Sequence, residues 1–222
     1  MRHALIMAAG RGSRMKPLTD IVPKPMAQIG NLTLLEIGIN NIKKFIDSIH
    51  ITVGYKGSLL AKHAIECGVN SIINTTDQES SWWIYNSVAS NIDDNILVMT
   101  CDNLFVIDID SLFEEYISLD KPACMIVPTN KIAGFEGDFI HYDSSQNVVK
   151  INRVDETDII CSGLQIINPV KINFLAPNCN NFYEIWHKLL NFNELKVANI
   201  RPKDWVAIDT IQQLENYIAK TI

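Results

Sequence analysis

Short apolar segments and longer helix-like segments alternate along the first half of the chain. Short apolar runs that end at Gly or polar residues predict strands, whereas apolar residues spaced three and four apart predict helices. The predicted strands are Ala4–Ala8, Ile49–Val53, Asn70–Asn74 and Asn95–Cys101. The predicted helices between them are Asn31–Asp47, Ser58–Cys67 and Trp82–Ile92. This alternation predicts an α/β fold of the Rossmann-like, doubly wound type, with a mixed, mostly parallel sheet.

The pattern changes after Lys121, where strands outnumber helices. We expect one domain over residues 1–222, with a first half at 1–120 and a second half at 121–222. Two segments that alternate around a polar turn predict a small β-hairpin lobe. The predicted elements of this half are strands at Ala123–Pro128, Phe139–Tyr142, Val148–Val154, Cys161–Asn168 and Leu195–Ile200, and helices at 170–192, broken at 177–181, and at Ile211–Lys220.

Composition places the chain among ordinary globular proteins. Its 222 residues are 47% hydrophobic and 20% charged, which is typical of that class. No apolar run approaches the roughly 18 residues of a membrane span, and the amino terminus lacks the pattern of a signal peptide. The five cysteines are scattered and form no C-x-x-C pair. We therefore expect neither a disulfide framework nor a zinc site, but reduced thiols in a cytoplasm.

The charge balance is acidic overall but basic near the amino terminus. A formal net charge of −6 argues against a nucleic-acid partner, because such binding depends on clustered Lys and Arg. Local charge still decides the affinity for a small anion, since distant charges are screened beyond about 8 Å at physiological salt. Positive charges follow the first strand at Arg11, Arg14, Lys16 and Lys24. This loop is therefore expected to bind phosphates.

The same loop contains Gly10 and Gly12, which allow a sharp turn with backbone N–H groups directed at an anion. The third glycine of the dinucleotide-binding fingerprint is missing, and there is no P-loop motif. However, the string Ala-Ala-Gly-x-Gly-x-Arg-Met-x-Pro-Leu-Thr, followed by Pro-Lys-Pro, resembles the signature of the sugar-phosphate nucleotidyltransferase family. The resemblance covers about twenty consecutive positions, and weaker similarity extends along nearly the whole chain.

This resemblance implies an enzyme that transfers a nucleotidyl group from a nucleoside triphosphate to a phosphorylated acceptor. It implies catalytic roles for Arg14, which would bind triphosphate oxygens, and Lys24, which would bridge the α-phosphate and the acceptor's phosphate. The residues expected to bind the nucleotide, with Gln78 a candidate for recognising the base, are Ala8, Ala9, Gly10, Arg11, Gly12 and Gln78.

Two acidic residues are expected to bind a metal. Asp102 directly follows the predicted strand Asn95–Cys101, at the strand end where ligands of such sheets bind, although a turn or cap role is equally compatible with that position. The resemblance favours the family's metal-binding aspartate there and implies the same role for Asp209. The alternative for Asp209 is the N-cap of Ile211–Lys220, a role that Thr210 could also fill. The implied cofactor is Mg²⁺.

A D-x-D pair lies close to Asp102 in the sequence. Asp108 and Asp110 have the spacing that many glycosyltransferases use to hold a metal. We expect them instead to cap a helix at Leu112–Ser118, because a metal-binding motif should stand at the strand end itself.

Three residues are expected to bind the acceptor. Gly163 and Trp205 match motifs of the resembled family, a Gly in a late strand and a Trp before the last helix. Trp82 and Trp83 cannot both face the core of one helix, so one should be partly exposed. An exposed indole attracts ammonium groups, with about 0.5 to 2 kcal/mol for each contact. We therefore expect Trp82 to contact an amino-bearing acceptor.

Two departures from the common sugar-specific pattern favour cytidylyl transfer. The carboxylate after Trp205 is at Asp209 rather than at position 207. The segment Gln78–Val88, which ends in Ile-Tyr-Asn-Ser-Val, stands where sugar-specific members carry Gly-Thr-Ala. Both resemble the cytidylyltransferases that act on choline phosphate and similar small phosphates. The expected partners are thus CTP and a phosphocholine- or phosphoglutamine-like acceptor, and a homodimer is compatible with the sequence. The alternatives are a sugar-1-phosphate uridylyl- or thymidylyltransferase and a nucleotide-binding module without turnover.

Overall fold

The computed structural model describes residues 1–92, 94–132 and 137–221. Within these ranges the strands are β1 His3–Met7, β2 Gln28–Ile29, β3 Leu32–Thr33, β4 Ser48–Val53, β5 Ser71–Asn74, β6 Ile96–Thr100, β7 Asn103–Val106, β8 Cys124–Asn130, β9 Phe139–Tyr142, β10 Val148–Asn152, β11 Ile159–Ile167, β12 Leu195–Val197 and β13 Lys203–Ala207. The helices are α1 Leu18–Ile21, α2 Leu34–Ile42, α3 Gly57–Glu66, α4 Trp82–Asn86, α5 Ile109–Ser118, α6 Pro169–Leu175, α7 Phe182–Leu190 and α8 Ile211–Thr221.

One large mixed sheet dominates the described residues. Its strand order is β10-β9-β11-β6-β1-β4-β5, with β8 paired to β11 and β12 paired to β8. Strands β6, β1, β4 and β5 run parallel, whereas β11 is antiparallel to β6 and β8. Buried residues cover both faces of the sheet in two large clusters, which explains why the central strands are continuous apolar runs. The predicted Rossmann-like α/β class is confirmed.

Several predicted helices are shorter in the structure. The segment predicted as Asn31–Asp47 begins with β3, the second strand of the β2–β3 hairpin. Helix α2 starts after Thr33, whose side chain forms a capping box with Glu36. The segment Trp82–Ile92 splits at Ser87, where the backbone is extended (ψ 177°) and the hydroxyl caps a following 3₁₀ turn. In both segments a capping side chain competes with the apolar period and ends or starts the helix.

A small second sheet forms beside the carboxyl edge of the large one. Strand β7 pairs in antiparallel fashion with β13, with Ala207 opposite Asn103. The sequence did not predict β7, because it follows the buried β6 after only a short turn and has no separate alternating pattern. This pair joins the first half of the chain to its carboxyl-terminal segment. None of the described helices is long and apolar enough to span a membrane.

Candidate active site

A cavity of about 830 Å³ lies at the carboxyl ends of the parallel strands β1, β4 and β6. Ligands of doubly wound sheets bind at this edge, where the loops leave the strands. The predicted site residues that line the cavity are Ala8, Ala9, Gly10, Arg11, Gly12, Arg14, Lys24, Gln78, Asp102 and Asp209. The structure therefore brings every residue predicted to bind nucleotide or metal to one cleft.

The glycine loop presents a row of free backbone donors to this cleft. None of the N–H groups from Ala9 to Arg14 has an acceptor among the described residues. Gly12 adopts a left-handed conformation (φ +60°), and a Cβ there would lie 2.9 Å from Lys24 Cβ. A non-glycine residue would thus be strained and crowded at position 12. Successive free N–H groups in a turn form a concave anion site.

Ala8 lines the cleft, but its backbone N–H is already bonded within the protein. Its N–H donates to Thr52 Oγ1 at 3.1 Å, and the residue is buried. It therefore forms part of the cleft wall and is not an available donor. Gly54 permits this close fit between neighbouring loops, because a Cβ at Gly54 would lie 2.7 Å from the carbonyl oxygen of Ala9.

Lys24 lies at the centre of the charged part of the cleft. Its Nζ donates to Asp102 Oδ2 at 2.7 Å and to Asp209 Oδ1 at 2.8 Å. Although the sequence predicts a loop around Lys24, the residue is only 7% exposed, because its aliphatic chain packs beneath Gly12. Burial opposes its charge, yet the Asp102 and Asp209 carboxylates outweigh this effect and raise the pKa of Lys24 above its ordinary value. The Lys24 side chain is therefore kept in its protonated ammonium form.

The β7–β13 pair explains how two acidic residues from distant parts of the sequence meet. The backbone N–H of Ile208 donates to the carbonyl oxygen of Asp102 at 2.9 Å, which places Asp209 beside the end of β6. Thr210 caps α8 by accepting from the N–H of Gln213, and Gln213 Oε1 accepts from the N–H groups of Asp209 and Thr210. The Asp209 carboxylate is therefore not needed as a helix cap and faces Lys24.

The two arginines occupy different parts of the cleft. Arg14 Nη2 donates to Asp209 Oδ1 at 2.8 Å, and 69% of the Arg14 side chain is exposed. Arg14 is thus a solvent-exposed cation at the rim of the cleft, and its guanidinium can exchange Asp209 for phosphate oxygens. The Arg11 guanidinium lies over the Tyr55 ring at 5.7 Å, which holds it on the opposite wall.

The carboxylate pair fits a magnesium ion bound together with a triphosphate. The described residues include no group of three or more His, Cys, Asp or Glu that could hold a metal, so the protein would supply two carboxylates. Mg²⁺ is commonly held in this way, with water and phosphate oxygens completing its coordination. The ammonium of Lys24 between Asp102 and Asp209 already marks a position where a cation is stable. Asp108, by contrast, accepts from the Ser111 N–H and caps α5, as predicted. Asp110 is not a cap: it lies in the first turn of α5 and pairs with Arg2.

Gly163 and Trp205, predicted to bind the acceptor, lie outside the cleft lining. Gly163 (φ +83°) sits at a bulge of β11, and a Cβ there would lie 2.2 Å from Asn103 Nδ2. Trp205 is buried, and its Nε1 donates to the Ser162 carbonyl oxygen at 2.8 Å. Asn103 Nδ2 donates to the same oxygen at 2.6 Å. The glycine thus makes room for a side chain of the protein, and the indole fixes the bulge.

Of the two adjacent tryptophans, one is buried and the other is partly exposed, as expected. Trp83 is 1% exposed and packs against Phe182, whereas Trp82 is half-buried. Trp82 lines a second cavity of about 520 Å³ beside the cleft. Gln78 is exposed and lines both cavities.

Sequence reasoning missed the wall of the cleft formed after β4 and β5. Thr52, Tyr55, Lys56 and Thr75 line it, yet none belongs to the recognised motif. The available signal was positional, since each lies at or just beyond the carboxyl end of a predicted parallel strand.

Comparison with known proteins shows which family the chain belongs to. Residues 4–149 match the model of the MobA-like NTP transferase domain. The chain belongs to this family. The match includes the glycine loop, Lys24 and Asp102, but not Asp209.

Proteins similar to this chain include cytidylyl-, guanylyl- and adenylyltransferases. The chain is 30% identical over 112 residues to the bifunctional protein GlmU of Methanococcus aeolicus, which covers 50% of this chain but only 27% of that protein. It is 22% identical to the 2-aminoethylphosphonate cytidylyltransferase of Lancefieldella rimae, over 96% of this chain and 90% of that protein. The structure of the CTP:phosphocholine cytidylyltransferase of Streptococcus pneumoniae superposes with a TM-score of 0.76 at 20% identity and covers all of both chains.

Proposed function

We propose that this protein transfers a cytidylyl group from CTP to a small phosphorylated acceptor, with Mg²⁺, and releases pyrophosphate. The observation that carries the proposal is the contact of Lys24 Nζ with both Asp102 and Asp209 beneath a loop of free N–H groups. A cation, two carboxylates and an anion cradle are the parts that nucleotidyl transfer requires. The near full-length similarity to a cytidylyltransferase supports CTP as the donor.

In the proposed reaction an acceptor oxygen attacks the α-phosphorus, and the bond from that phosphorus to the β-phosphate oxygen breaks. The negative charge that accumulates in the transition state spreads over phosphate oxygens, so positioning and charge neutralisation carry the catalysis. The Ala9–Arg14 N–H groups and Arg14 would hold the triphosphate. Lys24 would move its ammonium from the carboxylates toward the α-phosphate and the incoming acceptor.

The bound metal would neutralise phosphate charge and help to orient the triphosphate. Asp102 and Asp209 would be its protein ligands. No general base is needed, because a phosphate or phosphonate dianion is already a nucleophile at neutral pH. Lys24 would therefore leave Asp102 and Asp209 at the same time as these carboxylates bind the metal.

The test is pyrophosphate release with CTP, UTP, dTTP, GTP and ATP, each crossed with phosphocholine, 2-aminoethylphosphonate, phosphorylated glutamine and several hexose 1-phosphates. We expect release with CTP and an amino-bearing phosphate or phosphonate, and loss of release in EDTA. Release with UTP, dTTP or GTP and a hexose 1-phosphate would replace the proposal by a sugar-nucleotide synthesis. This is the second candidate, because the chain is also 25% identical to a D-glycero-alpha-D-manno-heptose 1-phosphate guanylyltransferase. Triphosphate binding without release in any pair would indicate a binding module.

A further inference from the structure

The second cavity is lined by aromatic, amide and acidic side chains. It encloses about 520 Å³ between the start of α4 and the segment that joins α6 to α7, and its residues are Gln78, Glu79, Trp82, Tyr85, Asn86, Asn173, Pro177, Asn178, Cys179 and Asn180. Two half-buried aromatic side chains stand beside a glutamate and several amides. Aromatic faces combined with a carboxylate attract organic cations.

Two amide side chains of this cavity, those of Asn86 and Asn173, donate to backbone carbonyl oxygens. Asn86 Nδ2 donates to the Trp82 carbonyl oxygen at 3.0 Å. Asn173 Nδ2 donates to the carbonyl oxygens of Ile84 and Pro169, at 3.2 and 2.9 Å. No described residue donates to the Oδ1 atoms of Asn86 and Asn173. These two oxygens are therefore available to accept hydrogen bonds from a ligand.

Acidic side chains outnumber basic ones at this cavity. Glu79 is exposed and has no cationic partner among the described residues. Glu184 stands behind the wall, where it accepts from the N–H of Asn180 at 3.0 Å, and the only described cation bonded to this wall is Lys188, whose Nζ donates to the Pro177 carbonyl oxygen. The two acidic groups exceed the single cation, so a positively charged ligand is favoured.

Hydrogen bonds between elements hold the cavity in shape. The buried Ser81 donates its hydroxyl to the Cys179 carbonyl oxygen at 2.6 Å, and its N–H donates to the Asn180 carbonyl oxygen at 3.3 Å. Tyr85 Oη donates to the Ala176 carbonyl oxygen at 2.6 Å. A site fixed in this way before binding loses little conformational entropy when the ligand enters.

We propose that this cavity binds an organic ammonium group, with Trp82 and Tyr85 contacting its apolar part and Glu79, Asn86 and Asn173 accepting its N–H groups. A primary ammonium is preferred to a quaternary one, because only the former has N–H donors for these oxygens. The group belongs either to the acceptor or to a separate amine. Since Gln78 and Glu79 line both cavities, occupancy is expected to alter the affinity for the nucleotide, and the nucleotide to alter that for the amine.

Binding is measured by tryptophan fluorescence and calorimetry with ethanolamine, choline and the neutral 1-propanol, with and without Mg²⁺ and CTP. We expect ethanolamine to bind more tightly than choline and 1-propanol not to bind. Glu79→Gln and Trp82→Leu should each weaken ethanolamine binding by about threefold to tenfold. The matched control is Glu114→Gln, an exposed glutamate on α5 outside both cavities, which should bind as the wild type does.

The measurements also identify the source of the amine. If phosphoethanolamine with Mg²⁺ and CTP binds more tightly than ethanolamine, and Glu79→Gln removes that gain, the cavity holds the head group of the acceptor. If free ethanolamine binds equally well and shifts the CTP affinity, the cavity takes a separate ligand. The inference is overturned if 1-propanol binds as well as ethanolamine, if no amine binds, or if Glu79→Gln and Trp82→Leu behave like Glu114→Gln. Because binding needs no turnover, these results are independent of the pyrophosphate assay.

Discussion

Lys24 shows how one buried side chain determines the state of the cleft. Its ammonium stands between the carboxylates of Asp102 and Asp209, and its single positive charge offsets part of their mutual repulsion. Removing one partner of a buried ion pair leaves charge uncompensated, which costs more than the pair contributes. The residue is therefore expected to serve stability and catalysis together, unlike an exposed loop lysine.

Lys24→Met retains most of the aliphatic chain and removes the charge. We expect a loss of roughly 2–4 kcal/mol in the free energy of unfolding, since partial exposure of the carboxylates moderates their repulsion. Mg²⁺ should raise the melting temperature of Lys24→Met more than that of the wild type, because a divalent cation can take the vacated position between the carboxylates. Equal effects of Mg²⁺ on both proteins, measured by thermal denaturation, would contradict this placement.

Gly163 provides a second residue-scale test. Gly163→Ala should lower the free energy of unfolding by roughly 2–4 kcal/mol, because the new Cβ would meet Asn103 Nδ2 and the backbone conformation disfavours a side chain. In an Asn103→Ala background the same substitution should cost less. About 1 kcal/mol would remain for the backbone, together with the contact that the new Cβ would make with Thr100 Oγ1 at 2.8 Å. Equal costs in the two backgrounds, in urea denaturation, would show that the glycine serves something other than Asn103.

At the scale of elements, the caps set where helices begin. The N-terminus of α2 is held by a reciprocal pair, in which Thr33 Oγ1 accepts from the Glu36 N–H at 3.2 Å and Glu36 Oε2 accepts from the Thr33 N–H at 2.7 Å. Helix α2 in turn packs against the segment that carries Lys24. Its start therefore contributes to positioning the cleft.

Thr33→Ala should reduce the free energy of unfolding by about 1 kcal/mol, the usual contribution of such a cap. Thr33→Ser keeps the capping hydroxyl and should retain most of the stability. Urea denaturation of the three proteins distinguishes them. Equal stability of the Ala and Ser variants would exclude a capping role for the hydroxyl.

Glu36, the second member of this capping box, predicts that the free energy of unfolding depends on pH. Hydrogen bonds from the Thr33 backbone N–H and side chain lower the pKa of Glu36. A lowered pKa means that the carboxylate stabilises the fold above its ordinary pKa, and that this contribution is lost as pH falls through the lowered value. The difference in unfolding free energy between the wild type and Glu36→Ala should thus be largest near neutral pH and narrow in acid. A difference that is constant with pH would contradict the role of the charge.

Much of the element order followed from the sequence, for physical reasons. The central strands and α3 are buried or amphipathic, so their apolar pattern predicts them well. The β7–β13 pair was missed because strand pairing between distant segments depends on long-range contacts and has no local pattern. The placement of Asp209 was predicted only through family resemblance, since no local feature indicates that Ile208 bonds to Asp102. The burial of Lys24 was missed for the same reason, because it requires Gly12 and two distant carboxylates.

At the scale of the whole molecule, the cleft joins segments from both ends of the chain. The glycine loop and Asp102 come from the first half, whereas Asp209 comes from the carboxyl-terminal segment that β13 fixes in place. The matched family domain at residues 4–149 thus lacks one of the proposed metal ligands. A nucleotide that spans these segments should stabilise the entire fold by mass action.

The most direct test of this assembly is the gain in CTP affinity that Mg²⁺ provides, measured by calorimetry in Mg²⁺ and in EDTA. We expect Mg²⁺ to tighten CTP binding by about tenfold or more in the wild type. The control Asp108→Asn, at a helix cap away from the cleft, should keep this gain. Asp102→Asn and Asp209→Asn, shown to be folded by circular dichroism, should each lose it. If either of those two variants retains the full gain from Mg²⁺, its carboxylate does not bind the metal and the central claim is contradicted.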